Sequence, residues 1–346
     1  MLYRREVNVM VTEEQIRQAL ESIFVPGVVR SLPKMNLVRD IAISDQSVHI
    51  TLASTALGSD AQQFIKGKVA AVLKKLPEVN EVAVDFVEAK PEEVNDIHCV
   101  VAVMSGKGGV GKSLVAALLG IELARQGNDV GILDADITGP SVPRMFGLGG
   151  ARPSGSESGI LPVLSRSGIE IMSINFMLPQ EDDAVIWMGP LISRAITQFW
   201  EEVLWGKLDY LVVDLPPGTA DAPLTVMQVL PLSGVVIVFS PQELAAMVVR
   251  KAIKMAQKMN IPILGVVENM SYLVLPDSGK KLEIFGKSKG EEMAKASGTP
   301  LLAQIPIDPQ LAQLCDEGNI EKYNSDILKT FADNFLQALS LKAKPV

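Results

Sequence analysis

The chain has 346 residues, a formal net charge of −8, 48% hydrophobic residues and 5% aromatics, with two cysteines and two histidines. Its length suggests about two domains at the usual ~100–200 residues each. The acidic balance gives sequence-independent nucleic-acid binding no electrostatic support, and two cysteines exclude a disulfide framework and suit a reducing, cytoplasmic setting.

In chain order, Met1 to Met10 has no long apolar core and carries Arg4, Arg5 and Glu6, so it does not read as a signal peptide. Thr12 to Phe24 has amphipathic helical spacing through Ile16, Leu20 and Ile23, behind a Thr12-Glu13-Glu14-Gln15 start that resembles a capping box. Alternating strands are predicted at Asp40–Ser44 and Ser47–Leu52, a helix at about Ala61–Leu76, and a strand at Glu81–Val87. The polar, proline-led stretch Pro91–Asp96 reads as a linker. The expected domains are a small α/β domain over 1–90, a linker over 91–96 and a larger domain over 97–346.

The larger domain opens with an apolar strand, Ile97–Met104, then Gly106-Lys107-Gly108-Gly109-Val110-Gly111-Lys112-Ser113, then a helix from Ser113 to Gln126 that stops at Gly127. Strand, glycine loop and helix in that order match the phosphate-binding pattern G-x-x-x-x-G-K-[ST]. Glycines let backbone N–H groups converge on phosphates, and the new helix adds its positive dipole end. Lys112 is expected along the β- and γ-phosphates, and the Ser113 hydroxyl on Mg²⁺. Lys107, so early in the loop, points away from its own nucleotide. It is either a solvated loop charge or a lysine presented across a dimer interface to a partner's γ-phosphate.

The next strand, Asp129–Leu133, runs into Asp134-Ala135-Asp136 and closes a β-α-β unit. The glycine- and serine-rich stretch Gly147–Ser158 reads as a mobile loop that could order on nucleotide binding. Farther on, the apolar strand Leu208–Val213 ends at Asp214 before Leu215-Pro216-Pro217-Gly218-Thr219. An aspartate at the C-terminal end of a buried parallel strand sits at the ligand edge of an open α/β sheet. Asp214 therefore reads as a Mg²⁺ carboxylate. Asp134 or Asp136 would orient the attacking water, and Ser113, Asp134 and Asp214 form the metal set, direct or through water. Asn269 follows the predicted strand Ile263–Val267. The C-terminal helix, about Ser325–Leu341, carries Ile327, Leu328, Phe331, Phe335, Leu336 and Leu339. Asp326 and Asp333 dilute Lys329, so packing on the sheet is favoured over a membrane surface. No apolar run approaches the ~20 residues a membrane helix needs.

From about Ile97 to Ile320 the chain resembles the Mrp family of P-loop ATPases, which carry and assemble iron–sulfur clusters. These belong to the deviant Walker A group that includes nitrogenase iron protein and ParA-type partition ATPases. The resemblance rests on Met104-Ser105 with the glycine loop, and on Asp134-Ala135-Asp136-Ile137-Thr138-Gly139-Pro140-Ser141. It rests also on Met188-Gly189-Pro190-Leu191 through Trp205 to Asp214–Thr219, and on Val267-Glu268-Asn269-Met270-Ser271-Tyr272 with Ile305-Pro306-Ile307-Asp308 after it. It implies an α/β fold, a P-loop NTPase with a mostly parallel sheet covered by helices on both faces. The first hundred residues resemble the small domain fused ahead of such ATPases. It further implies a cytoplasmic homodimer using ATP and Mg²⁺ with slow hydrolysis, and iron–sulfur assembly or apo-acceptor proteins as partners. Lys107 would be the signature lysine acting in trans and Asp136 the switch residue holding the water. Asn269 would recognise adenine, with Pro306 also at the nucleotide.

One departure matters. The family's C-x-x-C position reads Leu275-Pro276-Asp277-Ser278, and the loop Ser54–Ser59 of the small domain also lacks a cysteine. Cys99 and Cys315 both read as packing residues, so no iron–sulfur ligands are assigned. A bound cluster is implied by the resemblance but not by the residues, since clusters want about four thiolates. The alternatives are a cluster held by noncysteinyl or partner-supplied ligands, a scaffold, a factor maturing another metalloenzyme, a partition-type ATPase, and a non-hydrolysing switch.

Overall fold

The computed structural model describes residues 11–136, 139, 141–177, 189–219 and 221–342, without the side chains of 189–193, 243–246 and 248. Readings on Met1–Met10, on Ile137, Thr138 and Pro140, and on Met188 lie outside the described residues. The chain forms two compact units. One holds the residues up to Asp96 with Ser154–Pro162 and Glu201–Lys207; the other holds Ile97–Pro153, Val163–Trp200 and the chain from Leu208 onward.

In the first unit, the helix Glu13–Leu20 starts with a true capping box. The Thr12 hydroxyl accepts from the Gln15 N–H at 3.2 Å, and the Gln15 side chain accepts from the Thr12 N–H at 2.9 Å. Three strands, Val38–Ser44, Ser47–Ala53 and Glu81–Val87, form a sheet in that order, antiparallel then parallel. Alternation along Ser47–Ala53 buries Val48, Ile50 and Leu52. The helix Ser59–Leu73 contributes Ile65, Val69 and Leu73 to the buried core. Within 91–96, Pro91–Val94 make a helical turn, because proline suits a first helical position and Glu93 accepts from the Lys90 N–H at 3.1 Å.

Two distant stretches complete this unit. Asn95 Oδ1 accepts from the N–H groups of Trp205 (2.8 Å) and Gly206 (3.1 Å), and its Nδ2 donates to the Val203 carbonyl at 2.9 Å. Gly206 is left-handed (φ 65°), and a Cβ there would lie 2.6 Å from Met35 Cα. The end of the stretch expected to be a mobile loop is a hairpin: Ser154–Ser156 pairs antiparallel with Gly159–Leu161. Gly155 serves close strand approach rather than flexibility, since a Cβ on it would meet the Gly159 carbonyl oxygen at 2.3 Å.

The second unit is built on a mostly parallel sheet. Among the described residues its strand order is Lys281–Leu282, Ile263–Val274, Gly234–Phe239, Asp96–Ser105, Lys207–Asp214, Val130–Asp134, Glu170–Ser173, Val163–Leu164. Leu301–Ile307 pairs with Ile263–Val274. The two-residue edge strands Lys281–Leu282 and Val163–Leu164 are antiparallel to their neighbours. Continuous Val/Ile/Leu runs suit strands buried on both faces: Val235–Val238 and Val100–Met104 are fully or almost fully buried. The C-terminal helix Asp326–Lys342 packs on Leu301–Ile307 and on the helix Lys112–Arg125, burying Leu328, Phe331, Ala332, Phe335 and Ala338. Phe335 meets Tyr210 edge to face at 6.2 Å. Among the described residues, no helix is long and apolar enough to cross a membrane.

Candidate active site

The site gathers at the C-terminal ends of Asp96–Ser105, Lys207–Asp214 and Val130–Asp134. After Ser105 the chain passes through Gly106–Gly111 and enters the helix Lys112–Arg125. Gly109 and Gly111 have φ of 78° and 77°, a left-handed conformation that side chains other than glycine resist. Gly111 has a second reason to be glycine: a Cβ there would lie 2.2 Å from Asn269 Nδ2. The loop is tied down from three sides. Ser105 Oγ donates to the Lys107 carbonyl at 2.9 Å, the Gly218 N–H donates to the Ser105 carbonyl at 3.0 Å, and Asn269 Nδ2 donates to the Val110 carbonyl at 2.9 Å.

Lys112 is the charged centre, 5% exposed. Its ammonium bonds Asp214 Oδ1, lies 3.5 Å from Asp136 Oδ2, and is 3.3 Å from Ser113 Oγ. Asp214 and Asp134 end neighbouring strands and stand opposite each other in register. Both are fully buried. Asp134 is occupied by its own chain: Oδ1 accepts from the Asp136 N–H at 3.2 Å, and Oδ2 accepts from the Val142 N–H (3.2 Å) and Ser173 Oγ (3.3 Å).

Burial pushes the Asp134 carboxyl well above its usual range, with the Asp214 charge adding to the rise and the Lys112 ammonium opposing it. Burial raises Asp214 as well, against the pull of Lys112. Three carboxyls thus face one ammonium, an arrangement that favours further positive charge. Asp214 Oδ2 is buried with no hydrogen-bond partner. A buried acceptor left unpaired is costly, so the orphaned oxygen and the adjacent Ser113 hydroxyl form a hard-oxygen pair fitted to Mg²⁺.

Lys107 is half-buried and donates to Gln242 Oε1 at the start of the helix Glu243–Lys258. Gln242 was not legible as a partner, being 135 residues away in an unremarkable polar position. Asn269 sits within Ile263–Val274, a strand longer than expected, and is 2% exposed; it pairs opposite Ile305, one residue before Pro306 in Leu301–Ile307. Glu268 was also missed as a site residue, although a glutamate within an apolar strand run was the available signal.

The cysteines stand apart from this cluster. Cys99 is buried in Asp96–Ser105, and burial raises its thiol pKa. Cys315, in the helix Pro309–Asp316, is half-buried rather than a core residue, and burial pushes its thiol up to about 11. Leu275–Gly279 forms a tight turn in which the Leu275 carbonyl accepts from the Gly279 N–H at 2.8 Å. Among the described residues, no group of three His, Cys, Asp or Glu side chains could hold a metal ion.

Comparison with known proteins agrees with this geometry. Residues 96–339 match the NUBPL iron-transfer P-loop NTPase family, and residues 13–86 match the iron–sulfur cluster assembly protein family. The iron–sulfur cluster carrier protein of Aquifex aeolicus is 39% identical over 351 residues, covering 93% of this chain and 94% of that protein. The carrier protein of Synechocystis is 38% identical, covering 89% and 91%. A solved nucleotide-binding protein from Archaeoglobus fulgidus, in complex with ADP, is 48% identical with a TM-score of 0.62, covering 68% of this chain and 92% of that one. With matches over most of its length to both family and relatives, the chain belongs to the iron-transfer P-loop NTPase family of iron–sulfur cluster carrier proteins.

Proposed function

We propose that this chain is a cytoplasmic, Mg²⁺-dependent ATPase that works as a homodimer, its nucleotide state gating iron–sulfur cargo or a partner protein. The observation that carries the reading is the buried Lys112 ammonium, set at the end of a glycine loop against Asp214 and Asp136. Lys112 exchanges Asp214 for the β- and γ-phosphate oxygens when ATP enters. That exchange releases Asp214, which with Ser113 would hold Mg²⁺. When bound, the cation neutralises phosphate charge. The Gly106–Gly111 backbone wraps the phosphates, and Asn269, fixed to Val110 beside the loop, is assigned with Pro306 to the adenine end.

Asp136 orients a water whose oxygen attacks the γ-phosphorus as the bond to the β-phosphate oxygen breaks, leaving ADP and phosphate. Lys107 leaves Gln242 to reach the γ-phosphate held by the second copy. Asp134, with both oxygens taken by its own chain, is assigned chiefly to shaping the 134–142 turn that carries Asp136, with any contact to the cation made through water. ATP can drive release only if cargo or partner prefers one nucleotide state.

Asp136→Asn tests the hydrolytic step. Phosphate release should fall at least about 10²-fold with ATP affinity retained, the scale on which positioned proton-transfer groups act; unchanged turnover would remove Asp136 from the mechanism.

A second reading concerns cargo. The turn at Leu275–Ser278 offers no thiolate, and the two cysteines sit singly on separate elements, Cys99 on a strand and Cys315 on a helix. This supports a protein that acts in cluster assembly as a scaffold, or on ligands supplied by a partner, rather than one that holds a cluster on its own cysteine pair.

A further inference from the structure

Glu268 is a fully buried carboxylate in an otherwise apolar strand, and the ATPase reading gives it no task. Its Oε2 accepts from Ser271 Oγ (2.6 Å), Ser288 Oγ (2.7 Å) and Gln304 Nε2 (3.0 Å), and its Oε1 accepts from the Lys289 N–H (2.7 Å). Four donors on three stretches of chain satisfy it. A carboxylate is costly to bury, and a partly satisfied one costs more than an apolar residue in its place. A valine or isoleucine would fit the strand pattern with no such demand.

What the network holds is the turn beside the glycine loop. Against Leu301–Ile307, Asn269 stands opposite Ile305 but Leu273 stands opposite Ile307, so the strand bulges between them. Within the bulge Met270 is left-handed, with φ of 57°. Such backbone persists in a residue other than glycine only where its surroundings over-determine it. Here they do so from both sides: the Glu268–Ser271 bond spans Met270, and Asn269 is bonded to Val110. Both side chains of the bulge reach the loop. Asn269 Nδ2 and Met270 Cε lie 2.2 and 3.8 Å from where a Cβ on Gly111 would be.

We infer that Glu268 is a positioning residue for nucleotide binding: its anchored carboxylate holds the Asn269–Met270 bulge against the glycine loop. The inference rests on the reading of Asn269 as a nucleotide contact. It is tested on the full chain by titration with a fluorescent ADP and by ATP kinetics. Ser271→Ala removes only the bond across Met270, and Glu268→Gln sets an amide N–H₂ against existing donors. The dissociation constant is expected to rise about threefold in the first, the scale of one ordinary hydrogen bond, and about tenfold in the second, the lower end for one to a charged group. KM for ATP should rise in step, with kcat changed far less. The exchange Glu268→Gln with Gln304→Glu restores an amide facing a carboxylate and should recover most of the affinity. A merely structural role would lower the melting temperature and leave the dissociation constant in place.

If Ser271→Ala and Glu268→Gln bind ADP as the wild type does while Asn269→Ala binds weakly, the inference is overturned. If Asn269→Ala also binds normally, the reading beneath it fails, and the inference with it. Should Glu268→Gln not fold, Ser271→Ala carries the same comparison.

Discussion

Lys112→Ala is expected to abolish nucleotide binding, weakening it by about 10²-fold or more. The lost charge-assisted bonds to phosphate are each worth about 1.5–3 kcal/mol. The variant also removes the ammonium that opposes the raised pKa of both Asp134 and Asp214. Their carboxyls should then titrate higher still in the folded protein.

An acid whose pKa is higher folded than unfolded binds more protons in the native state, so stability falls as pH rises between the two values. The melting temperature of Lys112→Ala should therefore drop more steeply than that of the wild type from acid pH toward neutrality. Equilibrium titration with labelled ATP and melting curves across pH measure both effects. Retained affinity would contradict the assignment, and a parallel pH profile would contradict the charge argument.

Lys107→Ala should separate binding from turnover. Lys107 bonds Gln242 rather than the Lys112 cluster, so the loop's own phosphate contacts do not depend on it. Nucleotide affinity should stay within about twofold, the scale of a surface charge. Turnover should fall by about 10³-fold or more, the range over which a finger residue reaching a γ-phosphate acts. Phosphate release measured at saturating ATP decides it. Normal hydrolysis by Lys107→Ala would end the trans-acting role and leave Lys107 as a loop charge held by Gln242.

The parts of the site that were legible in the sequence are the local ones. Gly106–Ser113 encodes a strand-loop-helix turn within eight residues, and Asp214 follows an apolar run that ends at the sheet edge, so spacing alone placed them. Helix caps were equally legible, because Thr12 and Gln15 satisfy each other three residues apart.

The contacts that position the loop were not legible, since they join residues distant in the chain: Asn269 to Val110 across 159 residues, and Lys112 to Asp214 across 102. Asn95, within the stretch read as a linker, holds Val203, Trp205 and Gly206. No periodicity announces that a hairpin and a short segment far downstream close the first unit. The hairpin at the end of Gly147–Ser158 was not legible, because glycine signals both mobility and close approach, and only the backbone distance at Gly155 shows the latter.

The proposed reading is that of an ATP-driven carrier-family protein that does not hold a cluster on cysteines of its own. It is tested by anaerobic reconstitution with iron and sulfide, followed by desalting and a count of iron and acid-labile sulfide per chain. Wild type is run beside Cys99→Ser and Cys315→Ser, with ATP binding measured on the same samples. Intact ATP binding is expected, with no iron or sulfide retained through desalting. A stoichiometric cluster that survives desalting and is lost in Cys315→Ser would contradict it and place the ligand on that helix.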